Sequence, residues 1–170
     1  MLWITRRRIR VNRAATGWLI RRFLDPDASF RFVEPQEVAG LERRDGAIGF
    51  DAPGVRYPHQ DRLGRCSFEV LAAEYHPTDA ALRALARIVH DADFPRDPLP
   101  RPRKPELAFD TVSLLPGRSG VPSAPVVEAA GLRAISQGFP LVTRDDHETL
   151  ERSGFLYEAL YASLRQRVKG

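Results

Sequence analysis

The side chains best suited to chemistry lie between residues 57 and 94. Six of them are candidates for one site, namely His59, Cys66, Glu69, His90, Asp91 and Asp93. Imidazole nitrogens and carboxylate oxygens together suit Fe(II), Mn(II) or Zn(II). The stretch therefore predicts a divalent transition metal with His59, Glu69, His90 and Asp93 as ligands, and with Cys66 and Asp91 as accessory residues.

Two helices must position these ligands. Ser67 is a suitable cap for a first helix, which would carry Glu69 in its opening turn. A second helix is predicted after the break at residues 76–79. Its buried stripe comprises Leu82, Leu85, Ala86, Val89 and Phe94. His90 and Asp93 are three positions apart on that second helix, so they share one face.

Each candidate also has an ordinary structural interpretation. His90 and Asp91 could be polar residues at a helix C-terminus, where a histidine cation offsets the helix dipole. Cys66 could be a small buried apolar side chain, a thiol ligand or a reactive thiol, and a lone cysteine forms no intramolecular disulfide. Asp146 and His147, further along the chain, could approach His90 or could simply begin an acidic helix.

Positive charge is concentrated at the N-terminal end. The net charge is +4, and seven arginines precede the first acidic residue, Asp25. Guanidinium groups offer paired donors to tetrahedral oxyanions, so we take Arg6, Arg8, Arg21 and Arg22 as candidate anion-binding residues. A solvated basic face is the alternative. Because no DNA-reading motif accompanies the charge, binding to nucleic acid should be at most non-specific.

The length of 170 residues fits one domain with a substantial core. Alternation and helical periodicity predict strands at 3–10, 29–33 and 47–51, a helix at 12–23 capped by Asn12, and a short helix opened by Pro35. The fold class is therefore α+β, a predominantly helical single domain with a small β-sheet. No signal peptide or membrane-spanning run is present, so we expect a cytoplasmic protein without membrane contact.

The C-terminal part is predicted to be helical. A stripe of apolar residues from Ala129 to Phe139 indicates one helix, and Thr143 is the predicted cap of the next segment. Gly154 is expected to separate that segment from a final amphipathic helix. The apolar face predicted for the final helix comprises Phe155, Leu156, Ala159, Leu160 and Leu164.

Seven sequence pieces occur in a characteristic order along most of the chain. They are Trp3-Ile4-Thr5-Arg6, Val11-Asn12-Arg13, the run from Trp18 to Pro26, Phe30-Arg31-Phe32-Val33, Arg65-Cys66-Ser67-Phe68, the run from Ile88 to Asp93, and Asp145-Asp146-His147 with the run from Tyr157 to Tyr161. Together they resemble the C-terminal domain of the ChrB chromate-resistance family. The resemblance implies a domain of chromate-resistance operons, linked to chromate-responsive regulation, but no molecular activity. The family commonly has Cys-Pro where this chain has Thr16-Gly17, and Asp where it has Asn12.

Residues 94–126 are longer than the family resemblance leads us to expect. They contain eight of the fourteen prolines, interleaved with Arg96, Arg101, Arg103 and Lys104. Proline at this density prevents a regular helix and favours polyproline II or irregular structure. We interpret the segment as a loop inserted into a single domain that spans residues 1–170. It is either a lid over the candidate site or a variable surface excursion.

The sequence thus favours a ChrB-like cytoplasmic protein in the response to chromate or a related oxyanion, with a metal or oxyanion site. One alternative is a metal-dependent enzyme of a small-molecule pathway, with the proline-rich loop as its lid. A second alternative is a basic, DNA-associated regulator. The expected ligand is a small oxyanion or another small molecule, while the choice between enzyme and sensor and the oligomeric state stay open.

Overall fold

The computed structural model describes residues 1–95 and 126–169, so most of the predicted loop insertion lies outside the described residues. The strands are β1 (Leu2–Arg6), β2 (Ser29–Val33) and β3 (Ile48–Gly49). The helices are α1 (Val11–Leu19), α2 (Val38–Asp45), α3 (Ser67–Tyr75), α4 (Ala80–Asp93), α5 (Val127–Val142) and α6 (Asp146–Lys169). The prediction of an α+β fold, mostly helical with a small sheet, is confirmed.

The sheet is small and entirely parallel. Its strand order is β2-β1-β3, and Trp3 of the central strand is in register with Phe30 on one side and Ile48 on the other. Parallel neighbours need crossover connections. One crossover is α1 with a π-helical turn at Ile20–Leu24, and the other is α2. The three strands therefore have their carboxyl ends at the same edge of the sheet. The loop after β3 runs along this edge.

β1 is shorter than the predicted strand and ends at Arg6. Arg8 has a positive φ of 59°, a conformation that breaks an extended strand. The backbone N–H groups of Arg8 and Ile9 donate to the carboxylate of Asp146, at distances of 2.8 and 2.7 Å. The start of α6 thereby fixes the turn that leads from β1 into α1.

α1 is the central helix of the fold. Eight of its nine residues are buried, as expected of a helix covered on every side. A Cβ atom added at Gly17 would lie 2.5 Å from Leu150 Cδ1, so this glycine permits close packing of α1 on α6. Trp18 stacks on Phe68 of α3, with ring centroids 6.5 Å apart. α1 is thus packed against both the long C-terminal helix and the helix that carries Glu69.

The predicted break at Gly154 is wrong, because α6 runs without interruption from Asp146 to Lys169. A glycine in a helix interior costs about 1 kcal/mol relative to alanine, which packing of a long helix easily offsets. The predicted apolar face is also shifted, since Phe155 is 83% exposed. The buried face comprises Thr149, Leu150, Ser153, Tyr157, Tyr161 and Leu164. Among the residues described, no helix combines the length and the apolar character needed to cross a bilayer.

Thr143 does not cap α6. It follows the end of α5, and its hydroxyl donates to the carbonyl oxygen of Phe139 at 2.8 Å. The cap of α6 is Asp145 instead, whose carboxylate accepts the N–H of Glu148 at 2.9 Å. A carboxylate at this position also suits the positive end of the helix dipole.

Candidate functional site

The packing of α3 on α4 brings Glu69 against His90. Glu69 lies in the first turn of α3, and its Oε2 accepts the backbone N–H of Cys66 at 2.8 Å. The same oxygen lies 2.7 Å from His90 Nδ1 on α4. Cys66 rather than Ser67 is the N-cap of α3, and Ser67 is buried within the first turn. The helix start itself therefore fixes the carboxylate that faces the histidine.

Cys66, Glu69 and His90 form the first of two groups with the geometry of a metal site. One ligand atom from each lies within 4.8 Å of the others. Cys66 is fully buried, while the side chains of Glu69 and His90 are 21% and 27% exposed. Burial raises the pKa of the Cys66 thiol, and the negative charge of Glu69 raises it further. Without a cation, the thiol is therefore protonated at neutral pH.

The second group is built around Asp51, which follows β3 at the carboxyl edge of the sheet. Its side chain is 1% exposed and its φ is +52°. Oδ1 accepts from Asn12 Nδ2 at 2.7 Å and lies 2.6 Å from His59 Nδ1. Oδ2 accepts from the guanidinium groups of Arg6 at 2.9 Å and Arg13 at 2.8 Å. Each oxygen of this buried carboxylate therefore has two hydrogen-bond partners.

Charge in this second group is already balanced. Burial alone would raise the pKa of Asp51, but the His59 hydrogen bond and the charges of Arg13 and Arg6 lower it overall. The hydrogen bond to Asp51 raises the pKa of His59 against the opposing effect of burial. Asp51 is consequently ionised and forms a network of charge-assisted hydrogen bonds.

Asp93 lies at the edge of the Asp51 group. Its Oδ2 is 3.9 Å from His59 Nδ1. This trio also has the geometry of a metal site, since Asp51, His59 and Asp93 each offer a ligand atom within 4.8 Å of the others. Within residues 1–95 and 126–169, the buried Oδ2 of Asp93 has no hydrogen-bond partner. Burial raises the pKa of Asp93, and the nearby charge of Asp51 adds to the effect.

The two groups adjoin at Phe94. Its ring centroid lies 5.0 Å from that of His59 and 5.0 Å from that of His90. The structure therefore divides the four predicted metal ligands into two pairs, Glu69 with His90 and His59 with Asp93. The predicted accessory residue Cys66 joins the first pair, and Asp51, which was not predicted, joins the second.

The other predicted accessory residues have different surroundings. Asp91 accepts the backbone N–H of Val126 at 3.2 Å, which connects the end of α4 to the start of α5. Asp146 binds the turn after β1, as described above. The ring of His147 contacts Phe32 edge-on at a centroid distance of 4.8 Å. Asp146 and His147 thus lie in the first turn of α6. This is the structural alternative that the sequence offered for them.

The four arginines predicted to bind an anion do not converge on one place. Arg6 binds Asp51, as described above. The guanidinium of Arg21 lies over the Phe30 ring, 5.0 Å from its centroid, and Arg22 pairs with Glu158 at 3.2 Å. Arg8 is exposed in the turn after β1, and its carbonyl oxygen accepts from Arg13 at 2.8 Å. Much of the N-terminal positive charge is therefore neutralised within the fold.

Asp51 and Arg13 were not predicted as site residues, and Asn12 is not the helix cap that its position predicted. Asn12 lies inside α1, because the N-cap is Arg10. Its amide donates to Asp51 and to the Ser67 hydroxyl at 3.0 Å, and its oxygen accepts the N–H of Phe68 at 3.2 Å. One signal was available for Asp51: polar residues that follow strands of a parallel sheet gather at one edge.

A family model and one curated relative match most of the length of this chain. The family model described as ChrB, C-terminal domain, matches residues 3–115 of the chain. Protein ChrB of Cupriavidus metallidurans is 31% identical over 161 residues, which cover 94% of this chain and 39% of that protein. The chain thus spans well under half the length of this relative. No solved structure matches the chain.

Proposed function

The chain belongs to the ChrB C-terminal domain family, and on that premise we propose that it acts in the response to chromate or a related oxyanion through a bound divalent transition metal. The proposed ligands are Cys66, Glu69 and His90. Zn(II) and Fe(II) are the preferred ions, because the group combines thiol sulfur, carboxylate oxygen and imidazole nitrogen.

One observation carries this proposal: the 2.7 Å approach of His90 Nδ1 to Glu69 Oε2, with a cysteine sulfur in the same small volume. Charge supports it as well. A dication would be neutralised by the Glu69 carboxylate and a Cys66 thiolate, while a neutral His90 would complete three protein ligands. Three protein ligands leave a coordination position open, as in catalytic and ligand-binding metal sites.

The Asp51 group is a weaker candidate for the same ion. Arg6 and Arg13 both bind Asp51, and their two positive charges equal the two negative charges of Asp51 and Asp93, so an added dication would meet a site without net negative charge. We therefore assign His59 and Asp93 to the surroundings of the metal rather than to its ligands. The contact of His59 with Phe94, which also contacts His90, would let this group influence the ion indirectly.

Metal analysis of purified protein tests the proposal. Protein produced with Fe, Mn and Zn available, and purified without chelator, should contain about one transition-metal ion per chain. His90→Ala should lose the ion because it removes the nitrogen ligand. His147→Ala is the matched control, since that histidine contacts Phe32 and should leave the metal content unchanged.

A cellular assay tests the oxyanion response separately. A host whose chromate tolerance depends on this chain should lose tolerance with His90→Ala and keep it with His147→Ala. If His90→Ala loses the metal but retains tolerance, the metal site has another function. A wild-type protein without stoichiometric metal would contradict the proposal at its first step.

A further inference from the structure

A cavity of about 240 Å³ lies between α3 and α4, next to the candidate metal group. Part of its lining is apolar and formed by small side chains: Ala72 and Ala73 of α3, Ala86 of α4, and Pro77 between the two helices. Glu69 reaches the same cavity. The cavity thus offers an apolar surface that ends at one of the proposed metal ligands.

Three arginines line the rest of this cavity, and they differ in how far they are already engaged. Arg65 is paired with Asp61 at 2.7 Å. Arg83 donates one N–H to the carbonyl oxygen of Pro77 at 2.7 Å, an acceptor that leaves its positive charge uncompensated. Arg87 has no hydrogen-bond or ion-pair partner in the part of the chain that the structure describes. Two guanidinium groups are therefore available to an anion.

We propose that this cavity binds a small organic phosphate monoester. Two guanidinium groups without a carboxylate partner match a dianionic phosphate in charge and in hydrogen-bond geometry. The alanine and proline surface matches a compact apolar body of the same molecule. An inorganic oxyanion would satisfy the arginines but would leave that surface in water.

Glu69 does not oppose this assignment strongly. Its Oε2 is occupied by the N–H of Cys66 and by His90, so its charge is partly compensated by groups other than the arginines. Phosphate recognition by Arg83 and Arg87 requires no metal. The cavity can therefore be tested in metal-free protein, and the outcome is independent of the metal proposed above.

The experiment is calorimetric titration of the full chain, treated with chelator and dialysed, at fixed ionic strength. Three probes separate the features of the site: phenyl phosphate carries charge and an apolar body, inorganic phosphate carries charge alone, and phenol carries the body alone. Phenyl phosphate should bind at least about tenfold more tightly than either of the other two probes. Inorganic phosphate lacks the buried ring, and phenol lacks the charge-assisted hydrogen bonds to the arginines.

Variants identify the site. Arg87→Ala should weaken phenyl phosphate binding about tenfold. Ala73→Leu should weaken it comparably by filling the cavity, without a change of charge. Arg43→Ala removes another exposed arginine, which lies on α2 outside the cavity, and should leave binding unchanged.

All three substitutions are at exposed positions, so each variant should stay folded, and circular dichroism of each variant checks this. The proposal is overturned if phenyl phosphate does not bind, or if inorganic phosphate binds equally well. It is also overturned if Arg43→Ala weakens binding as much as Arg87→Ala does.

Discussion

Asp51→Asn should strongly destabilise the protein, because Asp51 joins the sheet edge to α1 and to the loop that carries His59. The asparagine is isosteric but keeps only one acceptor oxygen. Its amide nitrogen must face either the two arginine donors or the pair formed by the Asn12 amide donor and the His59 ring nitrogen. With the amide toward the arginines both guanidinium bonds are lost, and with the amide toward Asn12 and His59 at least the Asn12 bond is lost; in either orientation the arginines lose their negative partner.

The magnitude follows from the partners of Asp51. Arg6 and Arg13 are 24% and 14% exposed, so their bonds are poorly screened by solvent. The His59 bond counts for less, since that side chain is 42% exposed. Removing one partner of a buried ion pair costs about 3–5 kcal/mol. Domains of this kind are stable by about 5–15 kcal/mol, so the variant should lose a large fraction of its stability.

Urea unfolding followed by circular dichroism measures this loss. The midpoint should fall with an unchanged dependence of the unfolding free energy on urea concentration. Asp93→Asn is the matched control: it removes a neighbouring carboxylate whose pKa is already raised by burial and by Asp51, so stability at pH 7 should be unchanged or slightly increased. If Asp51→Asn lies within about 1 kcal/mol of wild type, the network does not hold this edge together.

Three further predictions concern stability. Gly17→Ala should cost about 1–3 kcal/mol in urea unfolding, because its methyl group would clash with Leu150, whereas Gly154→Ala meets open space and should stabilise α6 by up to about 1 kcal/mol. If the two substitutions have equal effects, the close packing of α1 on α6 is wrong. The raised pKa of His59 means that its contribution to stability is complete below its unfolded pKa of about 6.5 and is lost as the pH rises through the higher folded value. Stability should therefore decline as the pH rises above about 6.5 in wild type and less in His59→Gln, as measured by melting temperature across pH.

Local periodicity predicted the part of the site that lies on neighbouring helices. The apolar stripe of α4 fixes which face is buried, so the positions of Glu69 and His90 near one another could be inferred without tertiary information. Asp51 could not be found in this way, because its partners come from β1, α1 and the loop before α3. The division of the four predicted ligands into two pairs could not be foreseen either, because it depends on the packing of Phe94 against both His59 and His90.

The C-terminal helix shows a different limit. Gly154 and the apolar Phe155 are typical of a break followed by a new buried face, yet α6 passes through both and leaves Phe155 exposed. Tyr157 and Tyr161 are buried instead, and their hydroxyl groups donate to the Val11 carbonyl oxygen and the Asp79 carboxylate. Burial of a tyrosine depends on such distant partners, which hydropathy does not reveal.

We propose that Cys66, Glu69 and His90 hold one divalent transition metal, and the absorption spectrum of the chain titrated with Co(II) tests this most directly. A thiolate ligand gives an intense sulfur-to-cobalt charge-transfer band in the near ultraviolet. We predict that this band saturates at one Co(II) per chain, disappears in Cys66→Ser and is unchanged in His147→Ala. Weak, non-saturating absorption in the wild type, or a full band in Cys66→Ser, would show that these three residues do not hold the metal.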